Sequence, residues 1–236
     1  MSQKSNFFAA VTVLCVLTTS APAMAQALEG SLIQPTSVST SVASFGGLPT
    51  NNLINQSGLS SPYTSGVTLA ASTASTTHAD TAFTNGWASD QTGGFSPFFL
   101  SFDLGATESI AAVRLWNTTV TTVGARGDVE DFEVFSDSDF DPTNGGLVSL
   151  GIFTAADLTG NDRPAEDFAL NLTTSQFFHL EINSNQGDIN NVDSTRTSLG
   201  EVAFITVSAI PEPSSLIIIA TTAGGLMARR RRKPLV

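Results

Sequence analysis

The sequence predicts an all-β fold, an antiparallel β-sandwich. No long stretch repeats with helical periodicity; short β-rich runs recur instead, divided by clusters of Gly, Asn, Asp, Ser and Pro. Sixteen phenylalanines stand against one tyrosine and two tryptophans, which suits a core filled with bulky side chains from two inner faces. The first run, Phe98-Phe99-Leu100-Ser101-Phe102-Asp103-Leu104, stops at Gly105. A turn-like stretch, Ala106 to Ser109, precedes the second, Ile110-Ala111-Ala112-Val113-Arg114-Leu115-Trp116. The third, Phe132-Glu133-Val134-Phe135, alternates apolar and acidic side chains, so one face is buried and the other wet. Runs at 147–153, 168–172, 177–182 and 202–207 continue the series. Their spacing and turn punctuation fit an antiparallel sandwich better than βαβ units.

At 236 residues, 41% apolar and 13% charged, the chain can bury a sizeable core and is not of disordered composition. Its charge is unevenly placed. Between Gln26 and Pro213 lie four arginines and all 21 acids, a net charge of −17. Such a surface repels phosphate, which excludes nucleic acid as a partner, and it favours cations or a calcium-rich setting. The only cysteine, Cys15, falls in a segment read below as a removed peptide, so neither a disulfide nor a thiol nucleophile is available.

Both ends read as address labels. Lys4, an apolar stretch over 7–17 and Ala23-Met24-Ala25 make a positive start, a short hydrophobic run and an A-x-A site. Residues 1–25 are therefore expected to be a signal peptide, the apolar run being too short to cross ~30 Å of hydrocarbon. At the other end, Pro211-Glu212-Pro213 is followed by an apolar stretch over 216–227 and by Arg229-Arg230-Arg231-Arg232-Lys233. The basic cluster would stay cytoplasmic and leave the large domain outside. This tail, 209–236, resembles the PEP-CTERM sorting signal of bacteria that carry an exosortase. The resemblance implies a processing enzyme of exosortase type, a short transmembrane helix inserted at least transiently, and a protein that ends at the cell surface or in the extracellular matrix.

Residues 26–208 resemble the discoidin, or coagulation factor V/VIII type C, family with its galactose-binding-like jelly roll. Asn52-Leu53-Ile54-Asn55-Gln56 stands where that family writes an Asn-x-x-Asp-Gly turn. Trp87-Ala88-Ser89 matches its Trp-x-Ser, and Leu100 to Gly105 its strand ending Asp-Leu-Gly. Residues 113–117, Arg126-Gly127, the strand at 129–136, Phe178 to Asn183 and Leu199-Gly200-Glu201-Val202 follow in family order.

Many members hold a structural calcium where the Asp-Gly turn meets a glutamate near the last strand. Here Glu201 matches that glutamate, Asn55 takes the aspartate position and Asp80 can substitute for it. Gln56 replaces the glycine of the turn. Calcium takes six to eight oxygens, many from the backbone, so one changed ligand weakens such a site without abolishing it. A surface or capping role for Glu201 is the alternative. Asp137-Ser138-Asp139-Phe140-Asp141 imitates the start of an EF-hand loop, but Pro142 and Val148 replace the required glycine and glutamate, so a solvated turn is expected.

Trp87 and Arg126 are the candidate ligand-loop residues. Trp87, like Trp116, offers a face for a sugar ring, although the resemblance places both tryptophans in the core. Arg126 can grip a carboxylate with two hydrogen bonds, or pair with Asp128, Glu130 or Asp131 to hold its loop. Catalysis is not expected. His78 and His179 lie far apart, and no Gly-x-Ser-x-Gly, His-Glu-x-x-His or phosphate loop occurs. The sequence thus points to an exported, non-catalytic surface or matrix protein that binds polysaccharide or another surface component. The alternatives are a structural surface protein without a soluble ligand, or a glycan-active enzyme.

Overall fold

The computed structural model describes residues 30–69, 76–79, 85–91, 94–118, 127–157, 162–186 and 196–207. The signal peptide, the sorting signal with Pro211, Glu212 and Pro213, and the candidates Asp80 and Arg126 lie outside the described residues. The strands are β1 (Leu32–Ile33), β2 (Ser37–Thr40), β3 (Thr77–Ala79), β4 (Trp87–Ala88), β5 (Phe98–Trp116) and β6 (Gly127–Asp128). They continue as β7 (Asp131–Asp137), β8 (Val148–Thr154), β9 (Asp162–Pro164), β10 (Glu166–Ile182), β11 (Thr197–Leu199) and β12 (Glu201–Thr206). Two 3-10 turns, Phe45–Gly47 and Thr50–Leu53, follow β2.

A seven-stranded antiparallel sheet runs in the order β1-β12-β5-β10-β7-β8, with β2 also on β5. β5 and β10 are 19 and 17 residues long, and they join the two layers of the sandwich. β2 pairs with the first half of β5 (Ser37 opposite Asp103), whereas β12 pairs with its second half (Glu201 opposite Trp116). The two expected strands at 98–104 and 110–116 are therefore one, as are those at 168–172 and 177–182. The turn-like residues 106–109 bend the chain without ending its pairing, because Glu108, Ser109 and Ile110 stay opposite Ser175, Thr174 and Thr173. Register shifts after Ala169 and Ser175 absorb the bend. Gly105 sits at its start with φ +79°, and a Cβ there would lie 2.7 Å from Thr36 Cγ2, so only glycine fits.

Folding the sheet on itself buries Phe98, Phe102, Phe132, Phe178 and Phe204. Phe102 of β5 and Phe178 of β10 meet Phe204 of β12 at ring distances of 5.7 and 5.0 Å. Phe132, Phe153 and Phe168 form a second cluster, with Phe132 and Phe168 edge to face at 4.9 Å. Each fully buried ring contributes about 1.5–3 kcal/mol relative to exposure. β7 shows the sequence logic plainly: Phe132 and Val134 are buried while Glu133 faces outward.

Candidate functional site

One end of the sandwich collects the smaller elements. β4, β11 and β6 form a three-stranded sheet, with β11 and β6 parallel, and β3 pairs with β9. In sequence, four stretches outside the described residues lead into these elements: 80–84 precedes β4, 119–126 precedes β6, 158–161 precedes β9 and 187–195 precedes β11. The candidate Arg126 belongs to the second of them.

Polar side chains tie this end together. Ser89 and Thr197 exchange two hydrogen bonds of 2.8 Å, one through the serine hydroxyl. Thr118 Oγ1 lies 3.1 Å from Asp128 Oδ1 and 2.6 Å from Ser198 Oγ. Arg163 donates from Nη2 to Asp128 Oδ2 at 2.9 Å, an ion pair buried on both sides. Asp128, one of the acids considered for Arg126, is thus held by Arg163. At the rim, the Arg196 guanidinium lies over the Phe45 ring, 3.6 Å from its centroid, and both residues are half-buried. A guanidinium stacked on a ring makes a rigid plate with donors along its edge.

Trp87 lies beneath this rim. It is 1% exposed, its ring packs on Phe98 at 5.8 Å, and its Nε1 donates to Ser44 Oγ at 2.7 Å. Its faces belong to the core and offer nothing for a sugar to stack on. Trp116 is likewise buried, with Tyr63 stacked on it at 6.2 Å.

Asn55 and Glu201 do share a corner. Gln56 takes φ +60° at the position where glycine is expected, and its backbone N–H donates to Glu201 Oε2 at 2.8 Å. Its side chain is fixed at both ends: Nε2 donates to Gln34 Oε1 at 2.8 Å and Oε1 accepts from the Tyr63 N–H at 2.6 Å. Gln34 Nε2 in turn donates to the Ile54 carbonyl. Asn55 accepts from the Ser57 N–H at 2.8 Å and donates to Asn52 Oδ1 at 3.1 Å. Glu201 is wholly buried, its Oε1 has no hydrogen-bond partner among the described residues, and burial pushes its carboxyl up to about 9 against the opposing pull of the Gln56 N–H. The Tyr63 hydroxyl is pushed up by burial and by the neighbouring Glu201 charge.

The oxygens at this corner are amide and carbonyl oxygens beside the Glu201 carboxylate. The described residues bring one carboxylate, which accepts the Gln56 N–H, and among them no group of three or more His, Cys, Asp or Glu could hold a metal. Asp80, the further carboxylate considered, lies outside the described residues. The acidic run after β7 closes on itself: Asp139 Oδ1 accepts from the Asp141 N–H and Asp141 Oδ1 from the Thr143 N–H, at 2.9 and 3.0 Å.

A hydroxyl, an imidazole and a carboxylate do line up elsewhere. Ser101 Oγ is 2.8 Å from His179 Nδ1, and His179 Nε2 is 3.8 Å from Asp137 Oδ2. The serine is 2% exposed and the histidine 0%, so no substrate reaches that hydroxyl, and burial holds the imidazole below its ordinary pKa, that is, neutral.

Sequence reasoning missed Phe45, Arg196 and the Asp128–Arg163 pair. Scarcity was the available signal: with four arginines among 21 acids, each one needs a reason. Arg163 sits in a buried bridge, Arg114 is itself buried and grips the exposed Asp167 through Nε at 2.5 Å and Nη2 at 2.7 Å, and Arg196 stacks on Phe45.

Comparison with solved structures follows from this geometry. The chain is similar to a structure of the CBM32-1 and CBM32-2 domains of ZmpB from Clostridium perfringens, with 8% identity over 75% of this chain and 37% of that one, at a TM-score of 0.51. The family 32 CBM of NanJ from C. perfringens, solved in complex with galactose, matches at 14% identity over 75% and 98%, with a TM-score of 0.45. Chitosan-binding module 1 from the chitosanase/glucanase of Paenibacillus sp. IK-5 matches at 14% identity over 73% and 96%, with a TM-score of 0.44. No family model and no curated protein matches the sequence. At such identities the likeness is one of fold: an antiparallel, galactose-binding-like β-sandwich.

Proposed function

We propose that this chain is an exported, non-catalytic protein that binds polysaccharide through the end of its sandwich where β4, β11 and β6 meet. The observation that carries the reading is the Arg196–Phe45 stack, a preformed plate at the rim beside hydroxyl and amide groups. The stack fixes a planar cationic group at this end of the sandwich, a flat surface against which a hydroxyl-bearing ring can lie. A sandwich of rigid strands carrying loops at one end is the usual way to display such a site, and the fold shared with CBM32 domains supports the reading. Export rests on the A-x-A and Pro-Glu-Pro signals, the latter implying an exosortase-type enzyme and a membrane stage.

Affinity for one sugar unit is weak without a broad aromatic platform, so retention on a polymer comes from many copies. Affinity electrophoresis of the full chain in gels carrying neutral polysaccharide tests this. Retarded migration is expected, and Arg196→Ala should weaken retention about tenfold, equivalent to ~1.4 kcal/mol. Unretarded migration in every gel would overturn the binding function in favour of a structural surface protein.

A further inference from the structure

A second concave site lies where β7 ends. A cavity of about 450 Å³ opens there, and its lining includes Thr107, Ser136, Asp137, Thr174, Gln176 and Phe177. It is the bend in the sheet that creates it. The register shift between Ser175 and Phe177 leaves Gln176 out of the pairing with β5, and such bulges re-aim side chains. Gln176 is anchored through Nε2 to Asp103 Oδ1 at 2.9 Å, which keeps its carbonyl oxygen as an acceptor. Ser175 Oγ donates to the Asp137 carbonyl at 2.7 Å, locking β10 to the end of β7.

Asp137 forms the polar wall. Its Oδ1 accepts from the Ser138 N–H at 2.6 Å, and the side chain is backed by His179 at 3.8 Å. Gly146, with φ +108°, closes over it, and a Cβ there would come within 3.0 Å of Asp137 Oδ1. The hairpin between β7 and β8 can therefore approach the carboxylate only as glycine, which keeps the cavity in its present shape. Phe177, half-buried and packed on Phe140 at 6.1 Å, supplies the apolar wall with Val148.

The lining is shared evenly between apolar surface and hydroxyl, amide or carboxylate groups, more polar than an ordinary small-molecule pocket. An apolar ligand would leave these groups unpaired. An anion would meet Asp137, with Asp139 and Asp141 in the adjoining turn. Among uncharged ligands, the mixed lining fits a hydroxyl-rich ring with one apolar face. We propose that this cavity is a second glycan subsite that takes a neutral sugar ring, held by Gln176, the Thr107 and Thr174 hydroxyls and the Phe177 face. It lies one strand length from the loop end, since Asp131 to Asp137 spans about 20 Å. One polysaccharide chain can engage both, raising retention without tight binding at either.

The subsite does not depend on the Arg196 plate, and the two fail separately. Amide resonances of the 15N-labelled full chain, titrated with cellohexaose, with galactose and with glucuronate, give the test. The neutral sugars should shift residues 136–138, 146–148 and 174–177 with a Kd of order 1 mM, and glucuronate should not. Thr107→Trp, at an exposed position on the rim, should plug the cavity and abolish those shifts while leaving the rest of the spectrum intact. Gln176→Ala should weaken them about tenfold. Arg196→Ala should leave them unchanged. Absence of shifts at these amides with both neutral sugars, or their persistence in Thr107→Trp, would overturn the subsite whatever happens at the loop end.

Discussion

Glu201 is an acid with a nearly complete set of reasons to be neutral. It is fully buried, it carries one N–H donor, and among the described residues no guanidinium reaches it in an ion pair. Its carboxyl is held at about 9, above the ordinary 4.5. In the unfolded chain it ionises near 4.5, so between that pH and about 9 the folded state keeps a proton that the unfolded state has released. Stability conferred by the neutral acid is complete below pH 4.5 and is lost as pH rises towards 9. Thermal unfolding in chelator should show Tm falling over that window, and Glu201→Gln should flatten the slope. With Glu201 the one carboxylate that the described residues bring to this corner, added calcium should leave Tm unchanged. A calcium-dependent rise that vanishes in Glu201→Gln would instead assign the ion to this corner, since a hundredfold excess over Kd is worth ~2.7 kcal/mol.

Short elements at the loop end depend on one ion pair. β6 and β9 contribute two and three residues, too few to hold their place by backbone pairing alone. The Arg163–Asp128 bridge links them, with side-chain exposures of 7% and 2%. Removing one partner strands a buried charge, which costs about 3–5 kcal/mol. Asp128→Asn should therefore lower the urea midpoint by that equivalent with the slope unchanged. The double change Asp128→Leu with Arg163→Met should recover a large part of the loss, because no charge is left unpaired. The Arg114–Asp167 pair between β5 and β10 is more open, Asp167 being 37% exposed in its side chain, and Asp167→Asn should cost only about 1–2 kcal/mol.

At the scale of the whole molecule, charge and address act together. The region from Gln26 to Pro213 carries −17, so neutral polymers should retard the protein and polyuronates should not, at low ionic strength where the field is least screened. Raising salt should narrow that difference. Processing is a separate prediction. Protein recovered from the native cell surface should begin at Gln26 and lack the basic residues 229–233, as read from its intact mass. A mass that retains Lys4 or that cluster would refute the sorting route while leaving the sandwich and its sites untouched.

By itself the sequence determined the layering, because period-two alternation and bulky apolar residues dictate which face of each strand is buried. Phe132 and Val134 point inward for the reason their spacing gives. It also brought Asn55 and Glu201 to one corner through family order, though it gave no hint that Gln56 would replace a glycine by tethering its own side chain. Only the tertiary structure decided the rest. Whether residues 106–109 end a strand or bend it depends on β10 continuing beside them, a partner 65 residues away in sequence. The two-residue strands β4 and β6 carry no local signal and exist because β11 lies between them. Arg196 meets Phe45 across 151 positions, and the cavity under Gly146 arises from a register shift in another strand. Local pattern specifies what must be buried, while long-range contacts choose which polar side chains remain to face a ligand.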